Sequence, residues 1–188
     1  MGYCLGEPND TYNSNIKRIF INGDVDVEDI YTIYDENKIS CFGGSDIDIG
    51  DIYTVCDEDK IPCLQVFVHL GNWNPFDTIY IFQEFLCIGL GERVYFVSIK
   101  TGELREHRVS MYFGYFYEYE DRLYVASGEC LYCFDCGCNL VWVSKPIAVD
   151  GIIFNAFEKD KVFVSCEIEP QGKWIERCIC LKDGEMFF

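Results

Sequence analysis

Apolar positions along the chain fall in short runs, each closed by a charged or glycine-bearing turn, and none continues at helical spacing. One unit recurs: an acidic turn ending in Lys or Arg, then an apolar segment. It occurs as Asp35-Glu36-Asn37-Lys38 before Ile39 and as Asp57-Glu58-Asp59-Lys60 before Ile61. It returns as Gly91-Glu92-Arg93 before Val94, as Glu120-Asp121-Arg122 before Leu123, and as Lys159-Asp160-Lys161 before Val162. Polar turns between β-prone runs are hairpin signals. The pattern predicts an all-β chain built from antiparallel hairpins and meanders.

Two repeats refine this. Residues 29–41, DIYTIYDENKISC, and 51–63, DIYTVCDEDKIPC, are identical at nine of thirteen positions, an internal duplication in which each copy predicts a hairpin. In the other half, Ile99-Lys100-Thr101-Gly102-Glu103-Leu104 is similar to Leu181-Lys182-Asp183-Gly184-Glu185-Met186, with Phe134–Trp142 between them. Taking Gly102, Asn139 and Gly184 as equivalent gives spacings close to one propeller blade. Residues 120–142, EDRLYVASGECLYCFDCGCNLVW, resemble a blade of the quinoprotein-like (PQQ-type) β-propellers, with Asp135, Asn139 and Trp142 in the characteristic places. The resemblance is weaker over 91–107 and 159–186 and absent before about residue 64. A closed propeller needs at least four blades of four strands, and 188 residues supply four at most. The expected product is an open or partial propeller-like stack of antiparallel sheets. It is expected to form a single domain, 1–188, with an acidic duplicated-hairpin portion at 1–64 and a blade-like portion at 65–188. Quinone binding is not carried over from the resemblance, and no cofactor is expected.

Charge adds a direction. The chain carries −17, from 32 acids and 15 bases. Residues 1–60 hold 14 of the acids and 4 of the bases, so that third alone carries −10. Such a field repels nucleic acid and anionic membranes and attracts basic partners. Asp24-Val25-Asp26-Val27-Glu28 and Asp46-Ile47-Asp48-Ile49 alternate acid with Val or Ile, the signature of a strand with one apolar face. Asp24, Asp26, Glu28, Asp46 and Asp48 would then line the opposite face, carboxylates about 7 Å apart along each strand. A row of that kind can dock Lys and Arg side chains, or can simply discourage edge-to-edge pairing. Neither run completes a calcium loop, since Gly50 and Asp51 stand where an acid or Asn and a Gly are required. Trp73, in Gly71-Asn72-Trp73-Asn74-Pro75, is a candidate aromatic anchor for a partner.

Catalytic constellations are not evident. Cys130, Cys133, Cys136 and Cys138 read C-x2-C-x2-C-x-C, superficially a metal-ligand run. If Leu131–Asp135 is a strand, however, Cys130 and Cys136 share one face and Cys133 takes the other, so the thiols cannot converge. They are expected to be structural, and no metal is expected. His107, between Glu106 and Arg108, is expected at a solvated strand position. Gly43-Gly44-Ser45-Asp46-Ile47 misses a nucleophile elbow at its fifth residue. In Met111–Tyr119, Met111, Phe113, Tyr115, Tyr117 and Tyr119 share one face by parity, which predicts a core face. The start, Met1-Gly2-Tyr3-Cys4-Leu5-Gly6, has no secretory pattern, so a cytoplasmic protein with free thiols is expected.

Size, acidity and the missing catalytic set resemble the profile of bacterial immunity proteins of contact-dependent growth inhibition and related toxin systems. That resemblance implies a non-catalytic inhibitor that binds a cognate basic toxin, such as a nuclease, and covers its active site. A propeller-like scaffold for protein–protein interaction is the alternative, and a cysteine-rich metal-binding protein the third.

Overall fold

A computed structural model describes residues 3–6, 17–22, 51–57, 59–69, 76–169 and 172–187. The described residues form sixteen strands in four four-stranded sheets, with no helix among them. The fold is all-β, as the turn-and-strand pattern predicts, and divides into two compact units: residues 1–74 with 97–104, and residues 75–96 with 105–188.

The first unit contains β1 (Cys4–Gly6), β2 (Lys17–Asn22), β3 (Asp51–Cys56) and β4 (Pro62–His69), in the order β1-β3-β4-β2. The second copy of the duplication is a hairpin, β3 paired antiparallel with β4. Asp57 builds its tip by accepting hydrogen bonds from the N–H groups of Asp59 (3.0 Å) and Ile61 (2.9 Å), while Lys60 takes a left-handed backbone with φ 62°. The first copy, 29–41, lies outside the described residues. Strand β2 runs parallel to β4, placing Ile19 beside Val66 and Ile21 beside Val68. These four side chains are buried with Val55 and Leu64. On the other face lie buried Thr54 and Gln65, with Gln65 Nε2 donating to Thr54 Oγ1 at 3.5 Å.

The other three sheets are meanders in sequence order. They are β5 (Asp77–Phe82) to β8 (Leu104–Arg108) by way of β6 (Phe85–Leu90) and β7 (Arg93–Ser98); then β9 (Phe113–Tyr119), β10 (Arg122–Ser127), β11 (Leu131–Phe134) and β12 (Leu140–Val143); then β13 (Ile152–Glu158), β14 (Lys161–Glu169), β15 (Lys173–Cys180) and β16 (Met186–Phe187). Four-stranded antiparallel meanders following one another in this way form a partial, propeller-like arrangement. Within the second unit β9 packs against β5 and β6 on one side and β13 on the other.

The central strands of the middle sheet, β10 and β11, are buried on both faces, which explains why Leu123-Tyr124-Val125-Ala126 shows no alternation. Leu123 and Val125 enter one core with Phe82, Cys87, Phe96 and Phe134. Tyr124 and Ala126 enter a second with Trp142, Val162, Val164 and Ile179. Both interfaces rely on missing side chains. Phe113 lies against Gly89 of β6, and a Cβ there would meet the ring at 2.3 Å. Trp142 lies over Gly184, where a Cβ would meet the indole at 2.6 Å, and its N–H donates to the Leu181 carbonyl at 2.9 Å.

The blade turns recur, with one change from the sequence alignment. The left-handed residue is Gly102 (φ 77°) in the first sheet and Gly184 (φ 74°) in the third, but Cys138 (φ 56°) in the second. Cys138 therefore takes the place that spacing assigns to Asn139. Asn139 instead joins the turn's hydrogen bonding: Asp135 Oδ1 accepts from the N–H groups of Gly137 and Asn139, both at 2.9 Å, and from Asn139 Nδ2 at 3.1 Å.

Candidate binding surface

The residues singled out from sequence for partner binding, Asp24, Asp26, Glu28, Asp46, Asp48 and Trp73, all lie outside the described residues.

Strand β9 carries an aromatic row. Its register on β10 pairs Tyr119 with Arg122, Tyr117 with Tyr124 and Tyr115 with Ala126, then shifts so that Phe113 pairs with Ser127. The extra residue is Gly114, where an added Cβ would stand 3.0 Å from the Ala126 carbonyl oxygen. A bulge reverses side-chain parity beyond it. This corrects the expectation of one uniform face: Phe113 turns into the core containing Val125, while Tyr115, Tyr117 and Tyr119 keep the opposite side. Nor is that side wholly core. Tyr115 is 46% exposed and Tyr117 44%.

The exposed rings are held by other rings. Tyr115 packs on Phe76 with centroids 5.4 Å apart; Tyr117 stacks on Phe157 at 4.6 Å, and Tyr119 on the same ring at 4.7 Å. On the other side of the strand Tyr80 donates to Glu118 Oε2 at 2.7 Å. Burial, then the Glu118 carboxylate, push the Tyr80 phenol up to about 12, so it stays a neutral donor at ordinary pH. The exposed tyrosine row is aromatic and backed by further rings, features shared with protein-binding surfaces.

A second group lies where β8 leads towards β9 and β10 turns into β11. Ser110 Oγ makes a short contact with Glu129 Oε2, and the Ser110 N–H donates to the Tyr132 hydroxyl at 2.8 Å. The ring of His107 stands edge-on to Tyr132 and Phe134, each at 5.4 Å. The sequence expectation of a solvated His107 is thus corrected: it is half-buried, and that burial lowers its pKa so that it is neutral at pH 7. Nearby, Tyr112 donates to the Asp150 carbonyl at 2.8 Å and to its carboxylate at 2.9 Å, closing the loop before β13.

The cysteine run does not converge. Cys130 and Cys138 enter the core beneath the first and second meanders, Cys133 enters the core between the second and third, and Cys136 is exposed. Burial pushes the Cys133 thiol, and that of Cys166 on β14, up to about 11, leaving both protonated at ordinary pH. Among the described residues no group of three His, Cys, Asp or Glu side chains is placed to share a metal ion. No helix among them is long and apolar enough to cross a membrane.

No family model and no curated protein matches the chain. Among solved structures it is similar to the crystal structure of the computationally designed Ika8 protein, with 13% sequence identity and a TM-score of 0.48 over 74% of this chain. The chain spans 46% of the length of that designed protein.

Proposed function

We propose that the chain is a non-catalytic immunity or inhibitor protein that holds a basic partner domain, such as a nuclease toxin, with the partner's active site covered. The observation that carries this reading is charge: −17 overall, with −10 in the first 60 residues. An acidic surface speeds encounter with a basic partner and selects against acidic ones. Asp24, Asp26, Glu28, Asp46 and Asp48 are the proposed docking row, with Trp73 as an aromatic anchor, and the cytoplasm is the proposed compartment. The test is binding to a basic toxin domain encoded beside this chain. Changing the five acids to Asn or Gln should slow association at least tenfold at low salt and flatten its salt dependence. An unchanged on-rate sinks the acidic-row reading.

A second reading, a propeller-like adaptor, is favoured by the half-exposed Tyr115 and Tyr117 on β9. Binding would then depend little on salt and would fall with Tyr115→Ala, Tyr117→Ala or Trp73→Ala rather than with the acids.

A further inference from the structure

The last turn of each meander takes a left-handed backbone at one residue, and the three residues differ in chemistry. Between β7 and β8 it is Gly102 (φ 77°), between β15 and β16 Gly184 (φ 74°), and between β11 and β12 Cys138 (φ 56°). That region disfavours any side chain, and glycine is its usual occupant. Cys138 therefore carries a strained Cβ and a thiol where the two sister turns carry neither.

The thiol has a partner in the neighbouring meander. Cys138 is 5% exposed and Cys87, in β6, is 0% exposed, and both enter the core that contains Phe96 and Phe134. The two thiols are hydrogen-bonded to each other across the interface between the meanders. Neighbours on both sides hold the turn in this position. Arg105 of β8 donates from Nη1 to the Gly137 carbonyl at 3.0 Å, while its guanidinium lies over the ring of Phe85, two residues before Cys87. Phe134, which leads into the turn, meets Phe96 edge-on with centroids 4.8 Å apart. Two thiols held in contact in this way are placed to form a disulfide.

We propose that Cys87 and Cys138 are a redox-active pair, which a hydroperoxide converts to a disulfide that staples the first meander to the second. Cys138 lies in a turn beside exposed Cys136 and Asn139, so it meets the oxidant first. Its sulfur takes one oxygen from hydrogen peroxide, becoming a sulfenic acid and releasing water. Burial pushes the Cys87 thiol well above its ordinary range, so it keeps its proton and acts second. Its sulfur attacks the Cys138 sulfur, the S–S bond forms as the S–O bond breaks, and the Cys87 proton leaves with the hydroxyl as a second water. Two thiols are oxidised to one disulfide, and one peroxide is reduced to two waters.

The test is peptide mapping of the full chain, without reduction, after treatment with hydrogen peroxide, with the melting temperature taken before and after. The expected result is a crosslink within the monomer that joins the Cys87 and Cys138 peptides, in the wild type and in Cys136→Ser alike. The melting temperature should rise by about 5 °C or more, because the bridge closes a long loop, and dithiothreitol should reverse the rise. Cys138→Gly, which installs the residue of the sister turns, should fold yet lose both the crosslink and the rise, and Cys87→Ala should lose both as well. Absence of the crosslink in the wild type overturns the proposal. So does a crosslink that vanishes in Cys136→Ser, one that leaves the melting temperature unchanged, or a rise that persists in either Cys138→Gly or Cys87→Ala.

Discussion

The ring of Phe113 occupies the space in which any side chain at Gly89 would lie, so that a Cβ there would stand 2.3 Å from the ring. Phe113 is fully buried, and Gly89 lies in β6 of the neighbouring meander. Gly89→Ala should therefore force the ring to shift, costing about 1–3 kcal/mol, the range for overpacked cores. Phe113→Leu in the same chain should recover part of that loss, because the two changes act on one contact. Chemical denaturation of the single and double variants measures both effects.

Trp142 and Gly184 make the corresponding contact between the second and third meanders. Trp142→Phe keeps a ring over Gly184 but leaves the Leu181 carbonyl without its 2.9 Å donor, at a cost of about 1 kcal/mol. Gly184→Ala meets both the indole and a left-handed backbone of φ 74°, so it should cost more. Equal losses in thermal unfolding would contradict this assignment.

Stability should depend on pH through His107. Burial holds its pKa below the ordinary 6.5, so the unfolded chain binds the proton more readily than the folded one. Stability is therefore full above about pH 6.5 and falls as pH drops towards the folded-state pKa. His107→Gln should flatten the melting temperature between about pH 5 and 6.5. Asp135 acts lower on the scale. Burial pushes its carboxyl up, but bonds from the Asn139 N–H, the Asn139 side chain and the Gly137 N–H outweigh this and hold it below 3.8. Its contribution is present above the ordinary carboxylate pKa and is lost as pH falls through the folded value.

The thiols should divide by burial. Cys136 is exposed, whereas Cys87, Cys133 and Cys166 are buried with raised pKa values. Alkylation of the native protein followed by peptide mapping should label Cys136 at least tenfold faster than those three. Comparable rates would mean that the cores around Cys133 and Cys166 open readily.

Much of the blade architecture is legible in the sequence, because each blade announces itself locally. Asp135, Gly137 and Asn139 mark a turn, and Glu120-Asp121-Arg122 the turn before the apolar strand that begins at Leu123. Alternation separates Cys133 from Cys130, but it sets Cys136 on the Cys130 face, whereas Cys136 is exposed in the turn beyond the strand and Cys130 and Cys138 enter the core. Other features depend on contacts distant in sequence. The bulge at Gly114 reverses Phe113 relative to Tyr115, and only the neighbouring strand reveals it. His107 is flanked by charges, yet its position is set by Tyr132 and Phe134, more than twenty residues away. The parallel pairing of β2 with β4 joins segments separated in sequence by residues 23–61, and no local pattern encodes it. Cys138 takes a backbone that favours glycine, so composition pointed to its neighbour Asn139.

The central claim, that this acidic chain works by holding a basic partner, is tested most directly by one measurement: the association rate with a basic toxin domain encoded beside it, followed from about 50 to 500 mM salt. The account predicts a rate that falls steeply with salt and loses at least tenfold at low salt when Asp24, Asp26, Glu28, Asp46 and Asp48 are made neutral. A rate indifferent both to salt and to those five substitutions would contradict it.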